Sequence, residues 1–568
     1  MIPGALLMVA ANAASILAAA GLTKRLGTGR RATDLTLFLL IRLLLIMSAV
    51  LLGGLTHTLT RWALGLTGTA ALIMLLVART HRTLPRVDFR EVGKPLLIAA
   101  VVVSLRLLAQ VWLFAPHLGD AVAYHLPKVG EWVRAGGFTG EMGLHPHVAF
   151  PAGFELVETW WVLFLGHDVL IEMAGVEFVA LGFAATGALA RHVGIGRRAS
   201  FFAGLLYVVT PGFHLSATSC LNDAPAAALV VTTMTLVAAR APWPLVLVAV
   251  GLGVGIKPTY GFALPGAALL AFLLRLEPAV PLNRWAFALT AGGLLLGGFW
   301  YVRNIAWYGN PFFPLGSEHV VNPTAVQLGP RSTSLVDNVG DLVTKRLYDH
   351  QGAYGANVDN IAGWGPVAFG VGIPALLLGA AQNHRLRRLA IGFSLSLTCV
   401  LLFVQNDPWN LKYVFFFPAL LIVAAARLAE MHRPVWMLTA FAFGFSFLAT
   451  ILPYDMPPQD LLTLARQTWR HRSALEISEP RIPDVVVGCL GGYRARSYLL
   501  YGPDFSRRVV YLRPQSQEDL EETLRLFGIR YLYAAPANAD QRAMLDGAVG
   551  TLEMRLLGKH VYGPPRDD

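Results

Sequence analysis

The sequence predicts an all-α polytopic membrane protein with about 14 transmembrane helices and a small C-terminal α/β extracytoplasmic domain. Three observations predict it. Apolar runs of about 20 residues, the length that crosses a bilayer, recur along most of the 568 residues. Hydrophobic residues make up 55% of the chain and charged ones only 14%, well below a soluble domain's share. The charge is also sorted: residues 456–568 carry 15 Lys and Arg against 14 Asp and Glu, so +10 of the net +11 lies in the first 455 residues. That surplus sits in short loops between apolar runs and sets topology, which excludes a nucleic-acid partner as its explanation.

Taken in order, the first apolar run, Ile2 to Leu22, lacks a basic leader and a convincing processing site and reads as a retained span. Basic clusters follow at Lys24, Arg25, Arg30 and Arg31, at Arg79 to Lys94, at Arg191 to Arg198, at Arg385 to Arg388, and at Arg427 and Arg433. Short basic loops stay cytoplasmic. Fixing them there gives spans near 3–22, 35–54, 62–78, 95–114, 169–190, 199–216, 221–239, 243–257, 260–275, 285–303, 363–382, 387–405, 409–428 and 434–453, with both chain ends outside. The segment Gly153 to Leu165 is short for a crossing of about 20 residues and reads as a partly immersed or surface helix. Three regions result: N-terminal transmembrane helices over 1–94, a transmembrane module over 95–453 with outer loops 115–168 and 304–362, and a soluble domain over 456–568.

The tail changes character. PDVVVGCL, RRVVYL and IRYLYAA read as short strands, separated by the helical stretch Gln515 to Phe527 and the segment Ala537 to Val549, an alternation typical of α/β structure. No glycine-rich phosphate loop or paired carboxylate motif stands out there, which favours a structural or acceptor-binding role. Cys220, Cys399 and Cys489 are too scattered for a disulfide framework or a thiolate metal site.

Chemistry gathers on the outer side. Asp120, Tyr124, His125, Lys128 and Glu131 crowd the mouth of the span that ends near Pro116, and an ionisable cluster in that position marks a functional site. Asn222 and Asp223 open a later span, either as a helix cap or as a functional carboxylate. Lys257, in GIKPTYG, interrupts two short apolar runs and suits an anionic headgroup, with snorkelling as the plainer alternative. Arg303 ends another span; it reads equally as an interfacial anchor or a phosphate fork. His145 and His147 flank Pro146, and with an aspartate they are candidate metal ligands, although their spacing matches no standard pattern. Glu155 and Glu158 would share a helix face. Trp160 and Trp161 read as an interfacial belt rather than a sugar platform.

These segments together resemble the GT-C superfamily of integral-membrane glycosyltransferases, in particular the dolichyl-phosphate-mannose mannosyltransferase and aminoarabinose transferase types. The resemblance covers roughly residues 95 to 450. GDAVAYHLP places Asp120 where the family has an acidic residue in its first large outer loop, and LNDAP places Asp223 where a second acidic residue opens a later span. GIKPTYG is similar to the family's lysine-containing loop, RNIAWYGNPFFPL to its RN...GNP segment, and LKYVFFFPAL to its late tyrosine–proline span. Two departures stand out. Asp120 is followed by Ala121 where relatives often have an Asp-Glu pair, and three spans precede the loop where simpler members have one.

The resemblance implies an inverting glycosyltransferase of the cell (inner or plasma) membrane, working on its outer face. It would take a sugar from a polyprenyl-phosphate donor to a lipid, glycan or protein acceptor of the envelope. Asp120 is then the base, Lys257 and Arg303 bind the donor phosphate, and Asp223, Tyr124, His125 and Glu155 position the acceptor or a metal. A divalent metal ion is a candidate cofactor, with His145 and His147 as its candidate ligands. Two readings compete: a polytopic transporter or lipid flippase, whose polar groups should gather at the bilayer midplane with inverted repeats, and a noncatalytic envelope-assembly scaffold. The accumulation of Asp120, Asp223 and Lys257 on one side, without an evident repeat, favours the transferase.

Overall fold

A computed structural model describes residues 2–84, 91–116, 118–140, 143–275, 284–315, 363–403, 410–451, 486–491, 495–536, 538–557 and 560–564. The helical part comprises α1 (Ile2–Leu26), α2 (Arg31–Leu55), α3 (Arg61–Val77), α4 (Lys94–Leu113), α5 (Leu126–Ala135), α6 (Gly153–Leu163), α7 (Met173–His192), α8 (Arg197–Val208), α9 (Pro211–Ala217), α10 (Asp223–Ala238), α11 (Trp243–Ile256), α12 (Leu264–Leu273), α13 (Arg284–Tyr308), α14 (Ile373–Gln382), α15 (His384–Phe403), α16 (Phe417–Met431) and α17 (Arg433–Ile451). Much of the expected outer loop 304–362 and the start of the tail, 456–485, lie outside the described residues.

Prolines punctuate the helices. The α8–α9 pair is bent by 67° at its break, where Pro211 opens α9. One turn of π-helix, Ala121–His125, stands before Pro127, and another, Val367–Gly372, before Pro374. Proline cannot donate to the carbonyl four residues back and its ring clashes with it, so the preceding turn widens.

Among the described residues six helices are long and apolar enough to span a membrane, or seven if the bent pair counts as one. Helices occupy the other expected places but several are short: α3, α10 and α11 have 17, 16 and 14 residues. Among the described residues, then, only part of the expected 14 or so spans reach full crossing length. The apolar faces are nonetheless those of a multi-pass membrane protein: on α4, Ile98 is 63% and Leu105 59% exposed, a surface that lipid covers.

Helix α6 corrects a second expectation. It does not lie on the surface; every residue from Gly153 to Leu163 except Trp161 is buried within the protein. An 11-residue helix apolar almost all round belongs in a core. Trp160 accordingly lies inside, its Nε1 donating to Asn12 Oδ1 at 3.3 Å, and not in an aromatic belt.

Two packing devices position the functional segments. Helices α11 and α13 cross on glycines, where a Cβ on Gly251 would fall 2.2 Å from Gly293 O and one on Gly297 2.4 Å from Gly251 O. Small residues let backbones approach this closely in membranes. The N-terminal spans are tied to the following module by the buried Arg42–Glu177 ion pair, and Arg42 also donates to Asn12 Oδ1 at 2.7 Å.

The tail folds as a sheet in the order β2-β1-β3-β5-β4, formed by β1 (Val486–Gly491), β2 (Arg508–Leu512), β3 (Tyr531–Ala535), β4 (Arg555–Leu556) and β5 (Val561–Gly563). Strand β1 runs parallel to β2 and β3, and β5 is antiparallel to β3 and β4. Alternation along β1 sends its side chains two ways. Leu490 joins Leu520, Leu524 and Leu545 of α18 (Gln517–Leu526) and α19 (Ala539–Thr551), whereas Val487 and Cys489 join Val122, Leu126 and Val129 of the outer loop. Polar contacts reinforce the second set. Tyr501 Oη donates to Glu131 Oε2 at 3.1 Å, Tyr498 Oη to Asp168 Oδ2 at 3.3 Å, and Asp168 N to Pro503 O at 2.9 Å.

Two outcomes follow. Arg42→Met or Glu177→Leu alone strands a buried charge and should cost about 3–5 kcal/mol, while the double variant should recover most of it; thermal unfolding in detergent checks this, and a double variant no better than either single one contradicts it. A chain ending at residue 455 should lose hydrogen-exchange protection over residues 121–135, because Val122, Leu126 and Val129 lose their cover; unchanged protection contradicts the docking.

Candidate active site

The site forms where the segment around Asp120, the start of α10, the end of α11 and the 3₁₀ turn Asn410–Val414 meet. Lys257 ends α11 in an extended conformation (φ −153°, ψ 127°), which the following Pro258 favours. Asn222 Nδ2 donates to Ile256 O at 3.1 Å and so holds the start of α10 against the end of α11. The amide of Ala224 donates to Ser216 Oγ at 3.3 Å. Asp223 is left to accept from Lys257 Nζ at 2.5 Å rather than to cap its helix.

A second pair stands beside the first. Lys412 Nζ is 3.8 Å from Asp120 Oδ2, and both ammonium groups face one aromatic ring, Lys257 at 4.6 Å and Lys412 at 5.4 Å from the centroid of Tyr413. Lys257 lies within electrostatic reach of Asp223, Lys412 and Asp120. The structure thus brings Asp120, Asp223 and Lys257 together, and adds Lys412 and Tyr413, which the sequence reading passed over. Their signal was present: a lysine–tyrosine pair at the head of an apolar run, as in GIKPTYG.

Beside the first pair lies a small cavity, of about the volume of one water molecule, lined by Asp223, Lys257 and Tyr413 together with Ala226, Val230 and Ala263. Asp223, Ala226 and Val230 share one face of α10, so the cavity passes from charge to hydrocarbon within two helical turns.

Glu155, Lys128 and His125 form a separate buried group. Glu155 and Lys128 are fully buried and ion-paired, and His125 Nδ1 lies 2.9 Å from Glu155 Oε1. A carboxylate this deep requires such partners. Arg303 belongs with this neighbourhood: its guanidinium donates to Ala149 O and Asn304 Oδ1 and lies over the rings of Trp300 and Trp307 at 5.0 and 5.4 Å. Asn304 Nδ2 donates to Ala149 O and Phe313 O, each at 3.1 Å, so the RN...GNP segment clamps the 145–149 turn.

That turn carries an aromatic wall. Tyr124 packs against His125, His145 and His147 with ring centroids 4.5, 4.7 and 5.2 Å apart, and His147 stacks on Phe150 at 4.7 Å. Burial pulls His145 down to about 2; burial and the cations His125, Lys128 and Lys412 bring His147, despite Asp120, to about 4, so both rings are neutral at ordinary pH. His145 Nδ1 accepts from the amide of His147 at 2.9 Å and caps the turn. Among the described residues no group of three or more His, Cys, Asp or Glu is arranged to hold a metal ion. A divalent ion at His145 and His147 does not fit this donor set.

No protein-family model matches the chain, and no curated protein sequence does. Solved structures are similar in fold. The crystal structure of ArnT, an aminoarabinose transferase, from Cupriavidus metallidurans bound to undecaprenyl phosphate aligns at TM-score 0.53 and 14% identity, over 82% of this chain and 97% of that one. The same protein in the apo state aligns at TM-score 0.50 with 14% identity and the same coverage. The archaeal oligosaccharyltransferase AglB from Archaeoglobus fulgidus, in complex with an inhibitory peptide and a dolichol-phosphate, aligns at TM-score 0.37 and 12% identity over 77% of this chain and 69% of that one. The ArnT alignment, spanning nearly the whole of that chain, shows that this chain shares the ArnT fold, the fold expected from the sequence.

Proposed function

We propose that this protein is an inverting glycosyltransferase that moves a sugar from a polyprenyl-phosphate donor to an envelope acceptor on the outer face of the membrane. The observation that carries the reading is the pair of carboxylate–ammonium contacts, Asp120–Lys412 and Asp223–Lys257, the second of which borders a small cavity that Ala226, Val230 and Ala263 also line. A lipid phosphate has a charged end and an apolar one. Its headgroup needs fixed cations, and each methylene of its chain removed from water contributes about 0.8 kcal/mol. The fold shared with an aminoarabinose transferase that binds undecaprenyl phosphate supports the same donor class.

In the proposed reaction, Asp120 takes the proton from an acceptor hydroxyl or amine as that atom attacks the anomeric carbon. The bond from the anomeric carbon to the phosphate oxygen breaks, and the polyprenyl phosphate leaves with the electron pair. Attack opposite the leaving group inverts the centre. Lys257, held by Asp223, stabilises charge growing on the leaving oxygens, an effect strongest where water is excluded. Arg303 acts one step back by fixing the Ala149 turn, and the Tyr124 wall with His125 and Glu155 shapes the acceptor side. Asp120, Asp223, Lys257 and Lys412 gather where α10 begins and α11 ends, which favours transfer over transport.

Asp120→Asn should insert normally yet lower the rate of sugar transfer by about 10²–10⁴-fold in reconstituted protein; retained turnover defeats the base assignment. Lys257→Met should weaken binding of the lipid-phosphate donor by about ten- to a hundredfold, measured by titration; unchanged affinity defeats the phosphate assignment. Lipid analysis of a strain lacking the gene should show an accumulated polyprenyl-phosphate sugar.

A further inference from the structure

The two ion pairs are unequal. Lys257 and Asp223 meet at 2.5 Å with side-chain exposures of 13% and 3%, so withdrawing the lysine would strand a buried carboxylate. Lys412 and Asp120 meet at 3.8 Å, and the carboxylate is 37% exposed, so water can replace the ammonium there at little cost. Among the described residues of these two pairs the four charges sum to zero. An arriving phosphate therefore finds a neutral cluster, and it gains net attraction only by drawing a cation away from a carboxylate. Of the two, Lys412 is the one the geometry allows to go.

We propose that Lys412 is a second ligand of the donor phosphate that rests on Asp120 until the donor arrives, so that binding the lipid phosphate and uncovering the base are one event. The inference rests on the transferase reading above and deepens it. While Lys412 faces Asp120 Oδ2, the carboxylate is partly occupied and an acceptor amine would meet like charge beside it. Once Lys412 turns to the phosphate, Asp120 is left open to the acceptor. The Tyr413 ring, 5.4 Å from Lys412 Nζ and 4.6 Å from Lys257 Nζ, gives the ammonium a surface to move across without losing its aromatic contact. The order of binding is thereby set: donor first, acceptor second.

The test is titration of the full-length protein in nanodiscs with undecaprenyl phosphate as the probe. Lys412→Gln should weaken binding by about ten- to a hundredfold, and Lys412→Arg, which keeps the charge, should restore most of it. Asp120→Asn removes the competitor for Lys412 and should tighten binding by about two- to fivefold. That gain should vanish in the Lys412→Gln background. Unchanged or weaker binding by Asp120→Asn overturns the exchange, as does a gain that persists without Lys412. Sugar transfer measured in parallel keeps the two ideas apart: turnover by Asp120→Asn overturns the base assignment, whereas lost turnover with unchanged binding overturns only the exchange.

Discussion

The Asp223–Lys257 ion pair is the contact on which the site's geometry depends. It joins the first residue of one helix to the residue ending the next, across a junction that Asn222 clamps and where Pro258 favours the extended backbone of Lys257. A carboxylate and an ammonium this buried are tolerable only together, so the pair constrains two helices that are each too short to span a bilayer unaided. The glycine crossing of α11 on α13 then sets where that junction lies relative to Arg303 and the 145–149 turn. Charge pairing and close backbone packing thus do for this site what a rigid sheet does in soluble enzymes.

Much of this was legible in the chain. Apolar length placed helices at the expected positions, and alternation in PDVVVGCL, RRVVYL and IRYLYAA placed β1, β2 and β3, because both signals are local. Asp120, Asp223 and Lys257 could be singled out because a charge beside an apolar run is conspicuous. What escaped was whatever depends on pairing across the fold. Lys412 looked like part of a tyrosine–proline span; its meaning comes from a partner 292 positions earlier. Arg303 looked like a phosphate fork, yet its neighbours are a backbone carbonyl, an asparagine and two tryptophans. The bend within the expected span 199–216 escaped as well, because hydropathy measures apolar stretches and not where Pro211 breaks them. Glu158, fully buried beside Glu155 and Cys220, was noted only for its spacing.

The N-terminal spans, which precede the module in sequence, are tied into it. Arg42 reaches Glu177 on α7 and Asn12 on α1, and Asn12 in turn accepts from Trp160 on α6, the helix that carries Glu155. A polar relay of this kind inside an apolar bundle restricts how the helices can rotate, since any other register leaves a charge alone.

The docking of the tail has a consequence for biogenesis. Val122, Leu126 and Val129 are translated more than 350 residues before Val487 and Cys489, the strand residues that cover them. Until those strands have been made, the segment next to Asp120 has no complete interior, and a chain terminated before them carries an uncovered apolar surface that quality control can recognise. The sheet therefore acts as a seal that is added long after the segment it covers.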